Sequence, residues 1–214
     1  MTDPCSPASP CSYPSDCEVM EGYRTIARDR HQQPGPAGEN RIVLEKAKDI
    51  KIVLLDVDGV LTDGTIHYTS SGAEGKSFNT QDGFGLKLLR EAGVDTGLIS
   101  ARSSEAVSRR AEELEMHYAY QGSSNKLATL QEILKTTGYK PYQVAYMGDD
   151  WPDLCLLSRV GLALAPANAV AAVKAAAHYV TAHQGGAGAV REACEVILEG
   201  KGLFNEMLQR YLSR

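Results

Sequence analysis

The sequence predicts an α/β fold built on a parallel sheet with helices on both faces, and three observations carry that expectation. From about residue 42 onward, short apolar runs alternate with stretches of helical periodicity, the pattern left by strands joined through crossover helices. Polar and charged residues gather at the carboxyl ends of those runs, the edge at which open parallel sheets bind ligands. One connection breaks the alternation, with a glycine-containing turn between two short extended stretches.

Residues 1–38 are rich in Pro, Ser, Cys and Gly and cannot bury enough apolar surface to offset the entropy of ordering. They are expected to form a disordered extension, with at most a helical turn near residues 19–26, ahead of one domain over residues 39–214. The first strand covers residues 50–55 and ends at Asp56. Residues 65–79, TIHYTSSGAEGKSFN, read as a β-hairpin leaving directly from the aspartate loop. A helix over 83–91 then leads to a strand at 96–99, a helix over 105–114 to a strand at 117–120, and a helix over 126–136 to a strand at 143–147. A short helix at 154–157 precedes a strand at 160–165, and a helix at 169–176 precedes a strand at 179–181. The last long helix spans 189–199, and the tail places Leu203, Phe204, Met207, Leu208 and Leu212 at helical spacing suited to an interface. The whole describes a Rossmann-like sheet with a hairpin after its first strand.

Composition narrows the class. The 214 residues have room for one sizeable domain and an appendage, and 43% hydrophobic with 23% charged residues describe an ordinary globular chain. A net charge of −5 argues against broad nucleic-acid binding, which needs a basic surface, while leaving room for a local anion pocket. No apolar run approaches the roughly 18 residues of a membrane span, and the N-terminus lacks the basic-then-apolar order of a secretory signal. Neither nucleic acid nor membrane is an expected partner, and the cytoplasm is the expected compartment. Among the five cysteines, Cys5, Cys11 and Cys17 are spaced more widely than zinc sites favour. Cys155 and Cys194 sit in apolar helical contexts, so the odd count suits a reducing compartment better than a disulfide framework.

The chemistry is concentrated in KIVLLDVDGVLTDG, Lys51 to Gly64. An apolar strand is followed by Asp56 and Asp58, two residues apart, and then by Asp63. Crowded carboxylates repel, and burying them is costly unless a cation or hydrogen bonds compensate. Further groups stand at other strand ends: Ser100 in TGLISAR, Lys126 in QGSSNKLATL, and Asp149, Asp150 and Asp153 in AYMGDDWPD. A parallel sheet would bring them to one rim. Carboxylates without a suitable His or Cys partner favour a hard ion, Mg2+ before Zn2+. A hydroxyl and an ammonium beside it suit the equatorial oxygens of a phosphoryl group. One carboxylate is then free to attack phosphorus, and a second can protonate the leaving alcohol and activate water. Each piece alone has a plainer reading: a D-G pair as a turn, Ser100 as a helix cap, Lys126 as a solvated helix residue. Their joint order lifts the set above chance.

The ordered set D-x-D-G-V-L-T-D, then Ser after hydrophobics, then Lys, then G-D-D-x-x-D resembles the haloacid dehalogenase superfamily of phosphatases over residues from about 50 to 200. The resemblance implies that Asp56 is the nucleophile, Asp58 the acid/base, and Ser100 and Lys126 the phosphate binders. It also implies Mg2+ held by Asp56, Asp149 and the carbonyl of Asp58. Asp63 is left to its own loop, Asp150 to orienting the metal's waters, and Asp153 to a helix start or a supporting hydrogen bond.

Neither place where this superfamily inserts a cap domain has room here, so the fold is expected to be capless, its rim covered by a neighbouring subunit's hairpin. The stretches DVDGVLTDG, KSFNTQDGFGLKLL, YQGSSNKL, VAYMGDDWPDL and GGAGAVREACEVIL are similar to those of the capless, tetrameric phosphatases of 3-deoxy-D-manno-octulosonate 8-phosphate. That similarity implies a homotetramer in which Lys76 reaches a neighbouring site, and a role in lipopolysaccharide biosynthesis. Arg102 would meet the substrate carboxylate. Gln81 stands where many of these enzymes have arginine, which leaves a nine-carbon keto sugar acid 9-phosphate as an alternative substrate. A phosphomutase and a non-catalytic regulatory domain of the same fold are the other rivals. A capless site serves the first poorly, and the presence of Asp56, Asp58 and Lys126 speaks against the second. The loop at 185–192, GGAGAVRE, is either a helix entry or a set of amides, with Arg191, facing an anion or a neighbouring subunit. His67, His117, His178 and His183 show no metal-ligand spacing.

Overall fold

The computed structural model describes residues 37–68, 70 and 74–213. The three N-terminal cysteines and the helical turn expected near residues 19–26 lie outside the described residues. Helix α1 (Ala37–Lys48) precedes β1 (Ile52–Leu55) and the hairpin strands β2 (His67–Tyr68) and β3 (Glu74–Gly75). Then follow α2 (Thr80–Glu91), β4 (Asp95–Ile99), α3 (Glu105–Glu113), β5 (Tyr118–Tyr120), α4 (Lys126–Thr137) and β6 (Val144–Met147). The chain continues through α5 (Leu154–Leu157), β7 (Leu162–Ala165), α6 (Ala171–Ala176), β8 (Tyr179–Val180), α7 (Ala189–Gly200) and α8 (Phe204–Leu212). No helix among the described residues is long and apolar enough to cross a membrane.

Six of these strands form one parallel sheet in the order β5-β4-β1-β6-β7-β8. From central β1 the chain works outward through β4 and β5, then crosses to β6 on the other side. That reversal opens a crevice beyond the carboxyl ends of β4, β1 and β6. The strand β1 is locked into it from both faces. Val53 and Leu55 pack with Leu86, Leu89, Val190 and Ile197 in one layer. Ile52 and Leu54 pack with Leu130, Ile133, Tyr146 and Leu156 in the other. Each such side chain contributes about 1.5–3 kcal/mol on burial, and a one-residue slip would exchange the two faces. The position of Asp56 is therefore set by the hydrophobic register behind it.

Helix α1 is not among the elements the periodicity predicts. Among residues 41–48 of this helix only Val43 and Ala47 are buried, one turn apart, too short a signal to stand out, and it gains its support by packing on α7. The first strand begins at Ile52 instead of Ile50, although Ile50 is buried. The tail forms α8 with Met207 buried and Phe204 and Tyr211 packed on the chain's own core, so its apolar stripe is used within the chain. Two helices that carry site residues are capped: Asn79 accepts from the amide of Gln81 at 2.7 Å to start α2, and Asn125 accepts from the amide of Ala128 at 3.0 Å to start α4. The second cap fixes Lys126 in the first turn of α4, facing the crevice.

Candidate active site

Beyond β1 the chain makes a tight turn over Val57–Leu61. Gly59 has φ +87°, and a Cβ there would stand 2.0 Å from Asp149 Oδ2, so only glycine lets this turn lie against the loop after β6. Asn168 braces it, donating from Nδ2 to the Gly59 carbonyl at 3.1 Å and accepting at Oδ1 from the Gly185 amide at 2.7 Å. A Cβ at Gly185 would lie 1.8 Å from the Gly59 carbonyl oxygen. Asp82, buried in the first turn of α2, accepts from the amides of Gly188 at 3.3 Å and Arg191 at 2.8 Å. Of the two readings of residues 185–192, the geometry therefore gives helix entry: the loop braces the aspartate turn, and a carboxylate of the same chain already takes amides at its end.

Lys126 is the centre of the buried network. Its Nζ lies 3.0 Å from Asp56 Oδ1 and 2.7 Å from Asp153 Oδ1, and donates to the Tyr146 hydroxyl at 3.3 Å. Tyr146 in turn donates to Asp153 Oδ1 at 2.6 Å. Asp153 Oδ2 accepts from the amides of Asp149 and Asp150 at 3.0 and 3.2 Å. Burial, with the Asp153 charge adding and Lys126 opposing, pushes Asp56 up to about 6. Burial, then the charge of Asp56, pushes Asp149 up to about 7. Burial works against the charge of Lys126, but Asp56 and Asp153 outweigh it and hold its pKa above the ordinary value.

Asp56, Asp149 and Asp153 each bring a carboxylate oxygen within 4.8 Å of the others. The donors are hard oxygens, and two of them resist ionisation in the absence of a cation, so these residues fit Mg2+. Both oxygens of Asp153 are taken by four donors. Asp56 and Asp149 are thus the side chains left to hold an ion, and Asp153 serves as counter-ion to Lys126. Ser100, at the end of β4, is buried, and its Oγ accepts from the Arg102 amide at 3.2 Å, which leaves its proton for another acceptor.

The carboxylate of Asp58 stands apart from this cluster. Its Oδ1 pairs with Lys76 Nζ, and its Oδ2 lies 3.8 Å from Arg102 Nε. Glu74 meets the same two cations, at 2.9 Å from Lys76 and 2.6 Å from Arg102. The resemblance implied that Lys76 reaches a neighbouring site. In the structure it closes on Asp58 of its own chain, because the hairpin folds back over its own aspartate turn and a side chain only 1% exposed needs both carboxylates as partners. Arg102, expected at a substrate carboxylate, is held by Glu74 yet remains 42% exposed.

The remaining acidic residues of these loops bond locally. Asp63 accepts from the Thr65 amide at 2.8 Å and Asp150 from the Trp151 amide at 2.8 Å, each within its own loop. Gln81 lines an open pocket of about 450 Å³ with Asp63, Ser77, Phe78, Asn79, Thr80 and Gly186. Sequence reasoning missed Tyr146, Asn168 and Glu74. Tyr146 had a signal, since a phenol inside a buried strand needs a hydrogen-bond partner; Glu74 and Asn168 had none that spacing could expose.

Comparison with known proteins agrees with this geometry. Residues 118–192 match the model of the haloacid dehalogenase-like hydrolases. The 3-deoxy-D-manno-octulosonate 8-phosphate phosphatase KdsC of Yersinia pestis is 41% identical over 164 residues, 77% of this chain and 87% of that protein. A probable YrbI family phosphatase from Pseudomonas syringae superposes with a TM-score of 0.79 at 44% identity, covering 80% of this chain and 98% of that one. The phosphatase from Moraxella catarrhalis, crystallised with magnesium, phosphate and a KDO molecule, gives 0.78 at 40% identity, covering 79% of this chain and 97% of that one. Identity at this level, sustained over nearly the full length of such relatives, joins the aspartate-rimmed parallel sheet in placing the chain in the haloacid dehalogenase-like hydrolase family, as a phosphatase.

Proposed function

We propose that this phosphatase hydrolyses 3-deoxy-D-manno-octulosonate 8-phosphate to the free sugar acid and phosphate, through an aspartyl-phosphate on Asp56 and with Mg2+ as cofactor. The observation that carries the chemistry is the Lys126 ammonium held 3.0 Å from Asp56 Oδ1 at the end of β1. Support for the sugar comes from the named activity of the Yersinia relative and the molecules bound in the Moraxella structure.

In this reading an Asp56 oxygen attacks phosphorus and the bond to the sugar oxygen breaks, with Asp58 giving that oxygen a proton. Asp58 then takes a proton from water, which attacks the aspartyl-phosphate and releases phosphate. Lys126 and Ser100 donate to the phosphoryl oxygens as charge accumulates on them. Held by Asp56, Asp149 and the Asp58 carbonyl, Mg2+ would supply charge neutralisation to the phosphoryl group. The ion pairs on Asp58 must loosen for that residue to carry a proton, and an arriving substrate carboxylate offers Arg102 another partner.

The reading includes a homotetramer acting in the cytoplasm, in lipopolysaccharide biosynthesis. Exposed Ile66 and Tyr68 on or beside the hairpin, and Trp151 across the rim, are apolar surface that a second copy could cover. Two free cysteines, Cys155 and Cys194, are in keeping with a reducing compartment.

The test is phosphate release, with and without Mg2+, from octulosonate 8-phosphate, nine-carbon keto acid 9-phosphates and hexose phosphates. Preference for the octulosonate, lost by at least about 1,000-fold in Asp56→Asn, is the expected outcome. Preference for a nine-carbon substrate would overturn the sugar and keep the mechanism. Absence of turnover by folded, Mg2+-loaded protein would favour a regulatory domain.

A further inference from the structure

Lys76 and Arg102 come from different parts of the chain, the hairpin and the loop after β4, yet both converge on one carboxylate that no expected role covers. Glu74 gives one oxygen to each, at 2.9 and 2.6 Å, and its side chain is only 16% exposed. Asp58 closes the arrangement from below, paired with Lys76 and 3.8 Å from Arg102. Two cations and two carboxylates thus form a neutral ring that ties the hairpin to the aspartate turn. The two cations in it are not equivalent. Lys76, at 1% exposure, is enclosed between its two carboxylates. Arg102, at 42% exposure, meets Glu74 through Nη2, has Nε 3.8 Å from Asp58 and contacts the Tyr68 side chain, and still presents part of its guanidinium to solvent.

We propose that Glu74 is a positioning residue that anchors one edge of the Arg102 guanidinium, so that its free edge selects substrates carrying a carboxylate as well as a phosphate. This rests on the phosphatase reading of the site and names the device by which its selectivity is set. An arginine on an exposed loop loses side-chain entropy on binding a carboxylate, and a guanidinium already fixed along one edge has lost that freedom beforehand. Glu74 can do this because the hairpin carrying it is itself held down through Lys76. A two-stranded hairpin of this size has little stability of its own, so the ring supplies its seat. Glu74 also draws the positive charge of both cations away from Asp58, which would otherwise face them alone.

The test is Glu74→Gln, which keeps the size of the side chain and removes its charge. The measured quantity is the ratio of kcat/KM for octulosonate 8-phosphate to kcat/KM for p-nitrophenyl phosphate, which has no carboxylate. The ratio is expected to fall about 10- to 100-fold, mainly through KM for the sugar acid, as befits one charge-assisted hydrogen bond. A residue that merely supports the fold would lower both activities together and leave the ratio unchanged, and that result would overturn the proposal. Glu74→Asp, which restores the charge on a shorter stem, should recover part of the ratio. Amide hydrogen exchange over residues 66–68 and 74–78 gives a readout independent of turnover. Faster exchange in Glu74→Gln is expected, and unchanged protection would remove the ring as an anchor. If the wild type turns over neither substrate, the phosphatase reading and its selectivity device fall together, and the exchange data then report on the anchor alone.

Discussion

Replacing Lys126 with methionine keeps the apolar stem and deletes the charge at the centre of the buried network. The ammonium lies 3.0 Å from Asp56 and 2.7 Å from Asp153, so two carboxylates lose a shared counter-ion. With an effective dielectric constant of about 20, each contact carries about 6 kcal/mol of direct attraction. Solvation regained on unfolding offsets much of that, and removing one member of a buried pair costs about 3–5 kcal/mol in net stability. Protonation sets a ceiling on the cost. A carboxyl escapes its unpaired charge by taking up a proton, at about 1.4 kcal/mol for each pH unit above its unfolded pKa of about 4. Asp56, pushed up to about 6 with the lysine present, rises further without it. A carboxyl whose pKa is raised in the folded state loses stability as pH climbs from the unfolded to the folded value. Below about pH 6 Asp56 is protonated in both proteins, so the deficit of the variant must widen above that point. Urea unfolding of the metal-free proteins, followed by circular dichroism, is expected to show a deficit of about 3–5 kcal/mol at about pH 8 and about half that or less at about pH 5. Equal deficits at the two pH values would refute the assignment of Lys126 as counter-ion to these carboxylates. A deficit under about 1 kcal/mol at both would refute the burial of the cluster itself.

Three further outcomes follow from the same geometry. Asp56 and Asp149, raised to about 6 and about 7 chiefly by burial, make the metal-free chain lose stability as pH rises through about 4 to 7. Mg2+ takes the ionised forms, so its stabilisation in a thermal melt should grow by several degrees between about pH 5 and pH 8; a shift independent of pH would count against these two ligands. Tyr146→Phe removes the hydroxyl that donates to Asp153 at 2.6 Å, and should cost about 1.5–3 kcal/mol in urea unfolding and weaken inhibition by inorganic phosphate as Asp153 draws Lys126 toward itself. Unaltered stability together with unaltered phosphate inhibition would remove the tyrosine from the network. Gly59→Ala places a methyl 2.0 Å from Asp149 Oδ2 in a backbone with φ +87°; at least about 1–3 kcal/mol of strain and a lowered Mg2+ affinity by calorimetry are expected, and wild-type affinity would show that the turn and Asp149 are not in contact.

The strand-ending groups were legible because each depends on local order alone. Four buried hydrophobic residues place Asp56 at the tip of β1, and Asn125 at its cap places Lys126 in the first turn of α4. Alternation of strands and helices implied a parallel sheet, and a parallel sheet has one carboxyl edge. From residue order alone came the fold class, the identity of the rim groups, and the preference for a hard cation and a phosphoryl group. Short apolar repeats were less informative, as α1 shows: its buried Val43 and Ala47 commit to a helix only when α7 offers them a surface.

The choice of partners was decided only in three dimensions. Asp153 could be read as a helix start or a supporting hydrogen-bonding residue, and the fold makes it the second, the counter-ion of a lysine 27 positions away. The loop at 185–192 could have faced an anion, and instead braces the aspartate turn because Gly185 has no side chain to hold it off. Lys76 and Arg102 carried charges that the sequence could assign to a neighbour or a substrate, and in the fold both find Glu74 and Asp58. The physical reason is common to all three. Periodicity reports which face of an element is apolar, whereas a buried charge is satisfied by whichever opposite charge or amide the packed chain brings within about 3 Å, and that proximity exists only once the sheet has closed.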